Sequence, residues 1–221
     1  MGIQKTSTVI SVLLMAFLIA SCSGKESVVI EDSTCEVPCW RNILVGKTEI
    51  ASTKKLLRQM PDVETDSIRQ GKNPHTLVEV ITASFVNDKE TSLEITFVHE
   101  KVASIYFSYA EDISLSDAIT KFGEPRYIYP SALTGDPTVY LTVEFLYPEL
   151  GVCIHHQNKR LLLQSPKTYN INGSANISRI YYVDPSLPQG QLTYGCLSGS
   201  KESDIEIKKV EWKGFAEYPI P

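Results

Sequence analysis

The chain has no surplus of positive charge: 21 Lys and Arg stand against 26 Asp and Glu, a formal net charge of -5. Without a cationic excess to neutralise phosphates, nucleic-acid binding is not expected. No apolar run reaches the ~20 residues a helix needs to cross a bilayer, and the stretch from Val9 to Ala20 is only about 12 residues long. A polytopic membrane protein is therefore excluded. Glycine and proline, 12 each among 221 residues, are too few for collagen, and 43% hydrophobic content is too high for a disordered chain. Catalytic signatures are missing too: there is no Gly-x-Ser-x-Gly elbow, phosphate-binding glycine loop, dinucleotide fingerprint or His-Glu-x-x-His. No cofactor is expected, and the sequence points away from an enzyme.

What is present begins with an export signal. Residues 1–21 carry one cation, Lys5, then the apolar run from Val9, and no acidic residue. Leu18, Ile19, Ala20, Ser21 and Cys22 resemble the lipobox of bacterial lipoproteins. That resemblance implies diacylglyceration of the Cys22 thiol and cleavage just before it. Two or more acyl chains, at about 0.8 kcal/mol per buried methylene, hold a protein stably on a membrane. The expected organisation is a lipoprotein signal peptide at 1–21, a lipidated anchor and tether at 22–34, and one folded domain at 35–221. The implied location is the bacterial cell envelope, on the extracytoplasmic side.

Setting Cys22 aside leaves Cys35, Cys39, Cys153 and Cys196. An even number outside the cytoplasm points to disulfides, and four cysteines permit three connectivities. The preferred set is Cys35 with Cys39, where Pro38 favours a bend, and Cys153 with Cys196. The second closes the longer loop and should stabilise by about 3–4 kcal/mol. Cys35-Glu36-Val37-Pro38-Cys39 has one residue too many for a thioredoxin-like motif. A metal site would need further ligands, which only Cys153, His155 and His156 offer nearby, so no metal is expected.

The folded part reads as α+β. One helix is expected from Thr48 as N-cap through Ile50, Thr53 and Leu57 to a stop at Pro61. A second starts at Ser114, with Asp117 completing a capping box, and ends at Gly123 and Pro125. Strands are expected at 77–85, 92–98 and 102–109 after the first helix. After the second they are expected at 138–147, 151–156 and 176–183, with an added hairpin in the excursion from Leu161 to Ala175. Leu115 follows Ile50 at the interval at which Phe122 follows Leu57, so the helix starts repeat. Two tandem repeats of a helix packed on an antiparallel β-meander, at about 43–110 and 111–183 with a C-terminal extension, are the simplest organisation.

Gly46-Lys47-Thr48 leading into a helix, and Ile119-Thr120-Lys121-Phe122-Gly123-Glu124-Pro125 leading into a meander, resemble a known unit. It is shared by the small outer-membrane assembly lipoproteins and the beta-lactamase inhibitor proteins. The first unit departs from it, with Met60-Pro61 in place of Gly-x-Pro, and the second carries the excursion. The resemblance implies a binding scaffold without an active site.

Candidate site residues are few. His155 and His156 are adjacent on a strand and so face opposite sides, and Glu144 on the preceding strand is placed to orient one of them. With Ser198 in a Gly-rich turn they make up the hydrolase alternative. Tyrosines are more abundant, and Tyr106, Tyr140 and Tyr181 are the expected binding residues. An outward row of them suits a protein partner or a carbohydrate, because tyrosine supplies contact area at small entropic cost. The expected function is non-catalytic binding of another envelope macromolecule, most simply a protein, with an inhibitor or ligand-binding protein as the alternative. The aromatic tail from Glu211 to Tyr218 should dock back on the domain or close a sheet edge.

Overall fold

In a computed structural model, the described residues are 35–74, 77–88, 90–135, 138–161, 167–185 and 209–219, without the side chains of 109–112, 132–135, 138–141 and 158–161. All of them lie in the unit Asp32–Pro221. Its elements are β1 (Cys39–Trp40), β2 (Ile43–Leu44), α1 (Ile50–Gln59), β3 (Arg69–Lys72), β4 (Glu79–Ser84), β5 (Ser92–Val98), β6 (Lys101–Ser114) and α2 (Leu115–Phe122). There follow β7 (Tyr127–Gly135), β8 (Thr138–Tyr147), β9 (Val152–Leu161), β10 (Thr168–Asn170), β11 (Asn176–Val183), β12 (Val210–Glu211) and β13 (Glu217–Pro219). The class is α+β, dominated by one nine-stranded sheet in the order β12-β7-β8-β9-β11-β6-β5-β4-β3. Every pairing in it is antiparallel.

Chain order explains that spatial order. After α1 the strands β3 to β6 run as a meander; after α2, β7 to β9 run as another, and β11 then returns to pair with β9 on one side and β6 on the other. Short connections make each hairpin. His99 and Glu100 both adopt positive φ between β5 and β6, as Arg41 and Asn42 do between β1 and β2, which is the two-residue turn whose twist matches that of paired strands.

Alternation divides the sheet into two faces. Leu93, Ile95 and Phe97 of β5 are buried beside Phe107, Ile105 and Val102 of β6, and Ile180 and Tyr182 of β11 continue the layer to Ile154, Val152 and Phe145. Both helices contribute to the core through Leu57 of α1 and Leu115, Ala118 and Phe122 of α2. Phe122 meets Tyr147 and Tyr182 edge-on or tilted, and Trp40 packs edge-on to Phe85 and Phe107. Each such fully buried aromatic or aliphatic side chain stabilises by about 1.5–3 kcal/mol.

The second helix begins as its sequence implies: the Ser114 side chain accepts from Asp117 N, and the Asp117 carboxylate accepts from Ser114 N. Gly123, at φ 80°, ends it. The first differs. Its N-cap is Glu49, because the Thr48 hydroxyl instead accepts from Leu44 N and closes the turn after β2.

Besides the short β1–β2 hairpin, two strands of the large sheet were not expected from the sequence. β3 is wholly exposed and polar, held by its ladder to β4, so it carries no hydrophobic alternation to read. β7 contains Pro130, which argues against a strand, but β12 pairs only with Tyr127 and Ile128, so the proline removes no bond there. The expected hairpin within the excursion is also corrected. β10 pairs with β13 from the tail, Tyr169 opposite Tyr218, since the partner edge comes from distant sequence. The tail does dock back: β12 extends the sheet beyond β7, and Trp212 meets Phe145 edge-on while stacking on Tyr218.

Cys35 and Cys39 form a disulfide with Cα atoms 5.8 Å apart. Cys153 is also disulfide-bonded. Cys22, Cys196 and Ser198 lie outside the described residues, as does the side chain of Tyr140, whose backbone belongs to β8. Among the described residues no helix is long and apolar enough to cross a membrane.

Candidate functional site

The sheet face turned away from Phe122 and Trp40 is the one that carries chemistry. Period-two alternation puts Tyr129 of β7, Glu144 of β8, His155 of β9 and Arg179 of β11 in register, each opposite the next. One step along the strands, a parallel row holds Tyr127, Leu146, Cys153, Tyr181 of β11, Tyr106 of β6 and Glu94 of β5. The face is buried at one end: Tyr129, Glu144, Cys153 and His155 are all below a tenth exposed, whereas Arg179, Tyr181 and Tyr106 are half-buried.

Glu144 and His155 form the centre. Nδ1 of the imidazole lies 2.5 Å from Oε1 of the carboxylate, and the side chains are 9% and 7% exposed, His155 first. This partnership fixes the imidazole's orientation, and with Nδ1–H donating, a neutral ring presents Nε2 as an acceptor. Nε2 is buried and has no hydrogen-bond partner among the described residues. Burial raises the Glu144 carboxyl above its ordinary range, against the hydrogen bond and charge of His155 and the charge of Arg179, which pull it down. Its other oxygen, Oε2, is 3.7 Å from Sγ of Cys153.

Arg179 brings the balancing charge. Burial works against its cation, and Tyr106, Tyr181 and Glu144, with a hydrogen bond to Tyr181, more than offset it. Tyr181 and Tyr106 stack with ring centroids 4.7 Å apart and planes at 29°. Burial, followed by the neighbouring Tyr106, raises the Tyr181 phenol, and Arg179 opposes the shift. Beyond Tyr106, the half-buried Glu94 carboxyl is raised by desolvation. Nearer the dyad, the hydroxyls of Ser131 and Thr142 hydrogen-bond at 2.5 Å.

His156 belongs to the other face and is fully engaged. Its Nδ1 donates to the Asn176 carbonyl, and its Nε2 pairs with the Tyr169 hydroxyl. That leaves the ring as a structural tie between β9, β10 and the start of β11. The two adjacent histidines therefore separate as strand geometry requires, and Glu144 orients His155, not His156.

Tyr106 and Tyr181 come together and Tyr181 adjoins the dyad through Arg179. Arg179 was missed at the level of sequence, and Tyr129, one of the tyrosines near strands, was not among the expected binding residues. Alternation alone assigns them to this face, but only the return of β11 to β9 makes Arg179 the neighbour of His155. No group of three His, Cys, Asp or Glu side chains converges as a metal site among the described residues. No protein-family model, curated protein or solved structure matches the chain.

Proposed function

We propose that this chain is a bacterial envelope lipoprotein, anchored through lipid on Cys22, whose folded part binds another envelope macromolecule without catalysis. The surface is the sheet face bearing Tyr106 and Tyr181. The observation that carries the reading is the stacked, half-buried tyrosine pair lying on the face opposite the aromatic core, beside the buried Glu144–His155 pair. Stacked rings are held rigid, so they present contact area with little entropy left to lose. The two meanders joined at β6 and β11 fit an origin as tandem helix-plus-meander units, the second interrupted by β10. The tether at 22–34 would keep the face close to the membrane, where anchoring raises the effective concentration of a weak contact. The pairing of Cys153 with Cys196 belongs to the same reading, and non-reducing peptide mapping reports it directly: a free thiol at Cys196 removes it.

A photo-crosslinking residue placed at Tyr106 of the anchored protein, in its native membranes, tests the function. A single recurrent adduct that disappears when the residue is moved to exposed Glu49, the N-cap of α1, supports the surface. Equal labelling from both positions rejects it. A second reading, a hydrolase using His155, is favoured by the oriented imidazole with a bare Nε2. It requires a nucleophile within reach of that nitrogen.

A further inference from the structure

We infer that the ligand of this face is a glycan chain, a neutral hydroxylated polymer whose ring stacks on Tyr106 and Tyr181 and whose hydroxyl donates to Nε2 of His155. The inference rests on the surface proposed above and supplies its ligand class.

The Nε2 atom carries the argument. A buried acceptor without a donor costs about 1–3 kcal/mol, and Nε2 of a neutral His155 is such an acceptor, set in a row of polar groups beside the row that holds the half-buried tyrosine pair, so a donor that reaches it would relieve that cost. The side chain is 9% exposed and held by Glu144, which prevents the ring from turning to find another donor. An incoming hydroxyl satisfies it, because O–H donates to the bare nitrogen and still accepts on its own lone pairs.

Charge narrows the class. Glu144 and Arg179 flank His155 in one row across β8, β9 and β11, a carboxylate on one side and a guanidinium on the other. An anionic ligand would gain from Arg179 and be repelled by Glu144, and a cationic ligand the reverse. A neutral ligand meets neither penalty. The half-buried guanidinium then serves as a donor to further hydroxyls, which a sugar offers on adjacent carbons.

Position supplies the remainder. Tyr181 follows Arg179 by two residues on the same face of β11, and Tyr106 stands opposite Tyr181 on β6. Exposure rises from the dyad to this pair. A sugar ring has an apolar face of C–H groups and an edge of hydroxyls. The arrangement offers aromatic surface for the first and a polar floor for the second. A protein partner would use the rings equally well and has donors of its own, so the cross-linking and oligosaccharide tests together separate the two.

The test uses the full lipidated chain, purified from membranes in a sugar-free zwitterionic detergent and titrated with chitotetraose, maltotetraose, tetragalacturonate and N-acetylglucosamine. At least one neutral tetrasaccharide should bind, and its binding should shift the 15N resonance of His155 Nε2. Tyr106→Ala, at a half-buried position, should weaken that binding at least tenfold with the thermal melt retained. His155→Leu should do the same; if that variant fails to fold, the wild-type Nε2 resonance still decides the point. The inference is overturned if no neutral tetrasaccharide binds, if Nε2 is unmoved on binding, if tetragalacturonate binds as tightly, or if the monosaccharide matches the tetramers. A protein adduct from the Tyr106 cross-linker without oligosaccharide binding leaves the surface proposal standing and removes the glycan. Oligosaccharide binding by a chain that is not anchored has the reverse meaning: the glycan site stands and the anchor falls.

Discussion

Tyr147 carries a hydroxyl into the core, where it is buried without a hydrogen-bond partner among the described residues. Burial raises its phenol far above the ordinary 10. Tyr147→Phe removes the unsatisfied group and keeps the ring that meets Phe122, so the variant should be as stable as the parent or more stable by up to about 1 kcal/mol. The pH dependence has a definite sign. The unfolded phenol ionises near 10 while the folded one stays protonated, so the parent loses stability as pH rises above 10. Tyr147→Phe should lose less, which thermal melts at pH 9 to 11 resolve. Glu144 gives a second case at the acid end. Its folded carboxyl is raised above 4.5, so the native state holds its proton longer than the unfolded chain and stability falls as pH climbs through that interval. Glu144→Gln keeps an acceptor for His155 Nδ1 and removes this loss. Its melting temperature relative to the parent should therefore rise between pH 4.5 and neutrality; a constant difference would show that the carboxyl is not raised.

Elements show where sequence reading succeeds and where it stops. The capping box at Ser114 and Asp117, the stop at Gly123 and the alternation of Leu93, Ile95 and Phe97 are local signals, and the structure follows each. β3 carries no local signal, since four exposed residues become a strand only because β4 offers them a ladder. β7 carries a misleading one in Pro130, which is tolerated because β12 is too short to reach it. Thr48 looks like an N-cap, but its hydroxyl is used by Leu44 across the preceding turn. The tail shows how distant segments complete one another: Trp212 packs on Phe145 and stacks on Tyr218, and the Tyr218 hydroxyl bridges Lys213 N and Gly214 O. Trp212→Ala should cost about 2–3 kcal/mol, somewhat less than loss of a fully buried tryptophan because Trp212 is half-buried. It should also free the pairing of β13 with β10. Chemical denaturation measures the first effect, and amide exchange at Tyr169 and Tyr218 reports the second.

For the whole molecule, the proposed anchor and the folded domain are separable. Cys22→Ala should release or mislocalise the protein, with circular dichroism and melting of the domain unchanged, because the cysteine precedes the folded unit. Parent protein recovered in the soluble fraction, with Cys22 unmodified by mass spectrometry, would falsify the anchor. The sequence by itself determined the α+β class, the second helix and its cap, most strands, the Cys35–Cys39 bond and the opposite facing of His155 and His156. These follow from neighbours a few residues apart, where backbone geometry and periodicity suffice. Tertiary structure alone decided that β11 lies between β9 and β6, that β10 pairs with the tail, and that Arg179 stands beside the Glu144–His155 pair. Those depend on which strand edges meet once the two meanders join. Edge pairing is set by the summed burial of a whole face, not by any signal carried in the strands one at a time.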